Sequence, residues 1–268
     1  MSSLQVGIVG LPNSGKSTLF NTLLKKQVAN VASYPFTTIE PNIGVVEVPD
    51  ERLAKLALII KPEKVIPAVV KFIDIAGLVK NAHQGEGLGN QFLAKIREVD
   101  AVVHIIRAFK DDSVSHYYGS IDPQRDKEII DLELELGEIK KPTLYVINVD
   151  DFDSDNGNDL VINAKTGKGV NELIKKTYEL LDLITFYTVK GNKEVTAWSL
   201  KKGLTAFVAA EKVHTDMAKG FIKAEVVGFA DLIAASSWLG AKSKGKVRLE
   251  GRDYLVKDGD VIEFKFNV

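Results

Sequence analysis

Between Gly10 and Thr18 the chain reads Gly-Leu-Pro-Asn-Ser-Gly-Lys-Ser-Thr, directly behind the apolar run Val6-Gly-Ile-Val9. No other feature constrains the fold as strongly. Gly10 and Gly15 let the backbone curl so that successive N–H groups point inward at phosphate oxygens, and the helical stretch Thr18–Leu24 adds the positive end of its dipole. The template Gly-x4-Gly-Lys-Ser needs a short strand before it and a helix after it, and both patterns are present. Lys16 is then placed to reach the β- and γ-phosphates, and the Ser17 hydroxyl to ligate Mg²⁺. The spacing predicts a nucleoside triphosphate site.

Short apolar runs alternate with helical patterns through the first two thirds of the chain. Val6–Val9, Val69–Ile73, Ala101–Ile106 and Thr143–Ile147 are rich in Val and Ile and nearly continuous in hydrophobicity, as central parallel strands covered on both faces are. Helical patterns run over Thr18–Lys26, Glu51–Ile60, Leu88–Val99, Asp126–Lys141 and Val170–Leu183. This order predicts an α/β, doubly wound sheet, with ligands outside the carboxyl ends of its strands. After about Leu183 the pattern changes to period two, in Glu194–Leu200 and in Val261–Phe266, with Asp258-Gly259-Asp260 as a turn. The expected division is a nucleotide-binding domain over 1–181 and a small α+β domain over 182–268.

Further motifs fall at the expected strand ends. Asp74-Ile-Ala-Gly77 closes the run Val69–Ile73, where a carboxylate can hold Mg²⁺ through water and a glycine N–H can sense the γ-phosphate. Tyr34-Pro-Phe-Thr-Thr38 lies between the two phosphate motifs, so Thr38 is a candidate to complete the Mg²⁺ shell and to be released by hydrolysis. Asn148-Val-Asp-Asp151 and Asn163-Ala-Lys165 stand where base-reading loops sit in GTP-binding proteins. The usual Asn-Lys-x-Asp form places a carboxylate on guanine N1 and N2, whereas adenine N1 is an acceptor that would repel it. Here Val149 replaces the Lys while Asp151 keeps the fourth position, so ATP and GTP both remain open.

With 268 residues the chain is long enough for one large domain or for a medium and a small one. A net charge of −1 supplies no global basic field for nucleic acid. The absence of cysteine excludes disulfides, thiol catalysis and cysteine-rich zinc sites, and fits a reducing cytosol. The first residues lack a basic segment followed by a long apolar one, and no apolar run approaches a membrane span. The expectation is a cytoplasmic protein with no membrane partner.

Three motif blocks of the first domain carry a specific resemblance: Gly10 through Asn21, Tyr34 through Asn42, and Asp74 through Lys80. Gly85-Glu-Gly-Leu-Gly-Asn-Gln-Phe92, His214 through Ile222, and Tyr254 through Val261 extend it over both domains. These resemble the Obg-like ATPases of the YchF type. The resemblance implies a P-loop NTPase domain of the TRAFAC class, a C-terminal TGS domain of ubiquitin-like β-grasp fold, ATP hydrolysis and association with the ribosome. It implies phosphate contacts from Asn13, Ser14, Gly15, Lys16, Ser17 and Thr18, Mg²⁺ held by Ser17 and Thr38 beside Asp74, and base contact by Asn148 and Val149. Asn13 also resembles loops in which K⁺ supplies charge at the phosphates. The partners implied are ATP or GTP and the ribosome, with ribosomal RNA of the large subunit as the contact, and the protein acting as a monomer.

The chain also departs from that pattern. Relatives of this type carry a long helical arm before the base-reading strand, whereas Asp131 through Lys141 runs straight into Pro142 here. Their Asn-x-x-Glu is replaced by Asn148-Val-Asp-Asp151. Where many relatives place a water-orienting Gln after Asp-x-x-Gly, this chain has Leu78, which makes no hydrogen bond. The candidates to orient the water are therefore His116, in the loop past Ala101–Ile106, and then His83, flanked by glycines; Lys16 supplies charge. The basic stretch Lys242 through Arg248, with Arg252, is a candidate for ribosomal RNA as much as a solvated hairpin.

Overall fold

A computed structural model describes residues 4–26, 42–75, 88–152, 159–191 and 193–267, with the side chains of 88–91 left out. In chain order the elements are β1 (Gln5–Val9), α1 (Lys16–Leu24), β2 (Ile43–Glu47), α2 (Glu51–Ile60), β3 (Lys64–Ile66) and β4 (Val69–Asp74). Next come α3 (Leu88–Glu98), β5 (Ala101–Arg107), α4 (Pro123–Leu136), β6 (Thr143–Asn148), β7 (Leu160–Ile162) and α5 (Val170–Leu180). The remainder is β8 (Leu183–Lys190), β9 (Glu194–Lys201), α6 (Ala206–Val213), α7 (Thr215–Lys219), β10 (Phe221–Gly228), α8 (Phe229–Ala235), α9 (Trp238–Ser243), β11 (Arg248–Glu250) and β12 (Asp260–Phe266).

The chain divides into two compact units: Ser2–Glu47 with Val70–Leu181, and Val48–Val69 with Asp182–Val268. Among the described residues of the first unit, six strands lie in the order β2-β4-β1-β5-β6-β7. The pairs β1–β4, β1–β5, β5–β6 and β6–β7 are parallel. β5 is buried at every position, which explains why it is apolar apart from His104 and the closing Arg107. α3 and α4 cover one face through Phe92, Leu93, Ile96, Ile130 and Leu134, packed with Val9, Val102 and Ile75. The carboxyl ends of five strands therefore bring Gly10, Asp74, Arg107, Asn148 and Asn163 to one edge of the sheet.

One connection is shorter than usual here, and one helical pattern ends earlier than its sequence predicts. The connection Asp151 to Asp159 is short for a parallel crossover, which usually needs a dozen residues or more. Yet β7 does pair with β6, in the register Val146↔Leu160. The helical pattern Val170–Leu183 ends at Leu180, because Asp182 takes φ 54° and turns the following apolar residues into β8.

The second unit holds a mixed sheet in the order β11-β10-β12-β8-β9-β3. β8 and β9 form an antiparallel hairpin, β10 pairs antiparallel with β11 and β12, and β12 closes the sheet parallel to β8. Hairpin, helix, hairpin and a closing parallel central strand make the β-grasp arrangement. Alternate residues Ile184, Phe186, Val226, Ile262 and Phe264 meet Ala206, Ala209 and Ala210 of α6 in its core.

Val48–Val69 was expected inside the nucleotide domain; it belongs instead to this unit. β3 extends the sheet by pairing parallel with β9, Lys64↔Glu194. Asp50 caps α2 through the Arg52 N–H and accepts a short hydrogen bond from the Tyr187 hydroxyl. Arg52 reaches Asp258 at 2.6 Å. The basic stretch is also less free than its sequence implies. Lys242 lies 3.8 Å from Glu225, Lys246 3.1 Å from Asp231, and Arg248 3.6 Å from both Glu250 and Asp260. Among the described residues no helix is long and apolar enough to cross a membrane.

Candidate functional site

The strand–loop–helix around residues 10–18 has the geometry its sequence demands. Gly10 takes φ 156° and Gly15 φ 98°, and Asn13 is left-handed at 64°. A methyl group on Gly10 would stand 2.4 Å from the Ile105 carbonyl oxygen, and one on Gly15 2.3 Å from Asn148 Nδ2. Both positions exclude a side chain. α1 starts at Lys16 with no side-chain cap, which leaves its first N–H groups to an incoming anion.

Lys16 is only 7% exposed, and its ammonium donates to the carbonyls of Gly10 (3.2 Å) and Leu11 (2.8 Å). Burial pushes its pKa down to about 8 against the pull of Asp74. Burial likewise raises the Asp74 carboxyl, while the Ser17 hydroxyl and Lys16 draw it back. Ser17 Oγ donates to Asp74 Oδ2 at 3.2 Å. A hydroxyl and a carboxylate at this spacing form an oxygen donor set that suits Mg²⁺.

A cleft of about 730 Å³ opens beside this loop. Asn13, Gly15, Lys16, Ser17, Thr18, Asn148 and Val149 line it, as do Asn163 through Thr166 from the loop after β7. Ser14 is buried and joins through its backbone, its carbonyl accepting from Asn148 Nδ2 at 3.1 Å. Asn148 Oδ1 accepts from the Ala164 N–H at 3.0 Å, so one side chain ties three loops together. Asn163 Oδ1 accepts from the Thr166 N–H, and its Nδ2 donates to the Asp150 carbonyl. Asp150 lines the cleft but accepts the Lys110 N–H at 2.5 Å, and Asp151 is exposed outside the lining.

Sequence reasoning missed the opposite wall. Phe109, Lys110, Asp111 and Val114, from the segment after β5, line it. Arg107, 3% exposed at the end of β5, donates to carbonyls on both sides of this wall. A charged residue closing a strand that is otherwise apolar but for His104 is the signal that was available.

His116 lies on the same segment, but not as expected. Its Nε2 pairs with Asp126 Oδ2 at 2.7 Å, and its Nδ1 accepts from the Tyr118 N–H at 3.2 Å. With Nδ1 occupied as acceptor, Nε2 carries the proton and donates. Both nitrogens are engaged and the ring is outside the cleft lining, so His116 orients no water in this arrangement. His104 is a core residue, 1% exposed, and its Nδ1 stands 3.7 Å from Asp131, too far for a hydrogen bond. Thr38, Gly77, Leu78 and His83 lie outside the described residues.

Residues 5–149 match a family model described as a 50S ribosome-binding GTPase, and residues 183–267 match the YchF GTPase C-terminal model, described as a protein of unknown function. The chain is 38% identical to the ribosome-binding ATPase YchF of Bacillus subtilis over 99% of this chain and 100% of that protein. It is 39% identical to the ribosome-binding ATPase YchF of Haemophilus influenzae over 98% and 99%. The solved YchF GTPase of Schizosaccharomyces pombe superposes with a TM-score of 0.80 at 27% identity, over 99% of this chain and 98% of that one. The alignment with the Bacillus subtilis protein runs over 367 residues against the 268 of this chain. Roughly the difference, 99 residues (367 − 268), stands opposite nothing here.

Proposed function

Because the chain belongs to the YchF family of P-loop nucleotide hydrolases, we propose that it binds ATP with Mg²⁺ in the cleft lined by the residue 10–18 loop, residues 148–150 and residues 163–166, and hydrolyses it on the ribosome. It acts there as a cytoplasmic monomer. The backbone N–H groups of residues 13–18 and the Lys16 ammonium hold the phosphates, and binding draws Lys16 off the Gly10 and Leu11 carbonyls. Ser17 and Asp74, with Thr38, would hold Mg²⁺, which when bound neutralises charge on the β- and γ-phosphate oxygens.

The observation that favours ATP is the placement of the carboxylates. Guanine recognition needs one facing N1 and N2. Asp151 is exposed outside the cleft lining and Asp150 is spent on Lys110, while Val149 presents an apolar wall to the base. Equilibrium titration with Mg-ATP and Mg-GTP, side by side, is expected to show ATP tighter by tenfold or more, ~1.4 kcal/mol. Equal affinities, or tighter GTP, overturn the assignment.

His116 becomes the water-orienting residue when it leaves Asp126 on the ribosome. Asn13 donates its Nδ2 to the carbonyl of Ser115, the residue before His116, which leaves its side-chain oxygen for K⁺. Multiple-turnover phosphate release with ribosomes, in K⁺ and in Na⁺ buffer, tests both. His116→Ala is expected to lose about 100-fold, and wild type to run faster in K⁺. Wild-type turnover by the variant sinks the first assignment, and equal rates in the two salts sink the second. Contact with large-subunit ribosomal RNA predicts that ribosome association weakens as salt rises. Salt-independent association would remove it, and the acid-paired lysines and Arg248 of the second unit make a small slope the expected one.

A further inference from the structure

We infer that Arg107 is a positioning residue that holds the wall facing the nucleotide in its binding shape before ATP arrives. A buried arginine usually sits beside a carboxylate. Among the described residues every hydrogen-bond partner of the guanidinium is a backbone carbonyl, and the partners come from the segment after β5 and from the phosphate loop. Nε donates to Phe109 O at 3.2 Å and Nη2 to Val114 O at 2.9 Å. Longer contacts run from Nη2 to Asp111 O (3.5 Å) and from Nη1 to Asn13 O and Ser115 O (both 3.4 Å). The Phe109 ring lies against the guanidinium, 4.3 Å from its carbon.

One planar cation therefore fixes residues 109–115 to one another and to Asn13 of the phosphate loop. Its charge is dispersed over five carbonyl dipoles. The same residues that it holds by their carbonyls, Phe109, Asp111 and Val114, line the cleft. The amide side of the segment is satisfied separately: Lys110 N–H by Asp150, Ser113 N–H by Asp111, and Val114 N–H by the Asp111 carbonyl. The wall is thus built before the ligand binds, and its ordering cost is not charged to the binding step. A lysine presents a compact ammonium on a flexible stem and cannot span carbonyls in several directions within one plane.

This role rests on ATP occupying the cleft. Calorimetric titration of wild type and Arg107→Lys with Mg-ATP and with Mg-tripolyphosphate, plus thermal melting, tests it. Arg107→Lys is expected to weaken ATP by about tenfold and tripolyphosphate by less than about threefold, since only ATP uses the Phe109–Val114 wall. Unchanged ATP affinity, or equal loss for both ligands, overturns the role; equal loss is what a merely destabilised fold would give. If the variant does not fold, hydrogen exchange over 108–116 in wild type decides. Slow exchange without nucleotide and little change with ATP supports a preformed wall, whereas fast exchange that ATP suppresses overturns it. A wild type that binds no ATP removes the ATP reading itself, which the unvaried protein shows separately.

Discussion

Lys16→Met is expected to cut phosphate release by about a thousandfold while the free protein stays folded and melts within about 4 °C of wild type. The two halves of this expectation come from opposite signs of the same interaction. In the free protein the Lys16 ammonium is nearly buried, and its pKa near 8 shows that the site penalises the charge. A drop from 10.5 to about 8 corresponds to about 3 kcal/mol against the cation. Removing it also deprives the Gly10 and Leu11 carbonyls of a donor, at about 1–3 kcal/mol each. These terms nearly cancel, so stability changes little. In the transition state no such cancellation exists, because nothing else in the loop brings a full positive charge to the γ-phosphate. Phosphate release and a melting curve on the same preparation check both halves; a variant that keeps a tenth of the wild-type rate would disprove the assigned role.

Asn148→Ala is expected to lower unfolding stability by about 2–4 kcal/mol and to weaken ATP by about a hundredfold. Asn148 is 4% exposed, and both ends of its amide are used, Nδ2 on Ser14 O and Oδ1 on the Ala164 N–H. Truncation leaves a buried acceptor and a buried donor without partners and lets the phosphate loop drift from the loop after β7. Asn148→Asp separates this from loss of volume. It keeps the acceptor for Ala164 but faces a carboxylate to the Ser14 carbonyl, so it is expected to fall as far as the alanine variant. A mild Asn148→Asp, measured by denaturant unfolding and ATP titration, would show that side-chain volume matters more than the bridge.

The phosphate loop was legible in the sequence because everything it needs is local. Gly10 and Gly15 supply backbone angles, Val6–Val9 supplies a buried strand, and Leu19, Phe20 and Leu23 fall on one face of the following helix. The same holds for the parallel strands β1, β4, β5 and β6, since each announces itself as a short apolar run. Asn148 stands out in the sequence as a candidate for the base loop, but the bridge it makes depends on Ser14 and Ala164, far from it in sequence. Val48–Val69 was misplaced for a similar reason. Its α2 is written plainly, yet nothing within the segment says that β3 will pair with β9 or that Asp50 will meet Tyr187.

His116 shows the limit most directly. Position in a loop past a strand end made it a candidate, and only the packing of α4 brought Asp126 to 2.7 Å from its ring. By itself, then, the sequence determined the phosphate loop, the alternation that makes a doubly wound sheet, and the change of grammar near residue 182. The tertiary structure alone decided which unit holds Val48–Val69, that Asp150 meets the Lys110 N–H, and that Arg107 bonds the carbonyls of Phe109 and Val114. The physical reason is range. Backbone angles and apolar periodicity act between residues a few positions apart, whereas the partner of a buried polar group is set by whichever segment the folded core brings beside it.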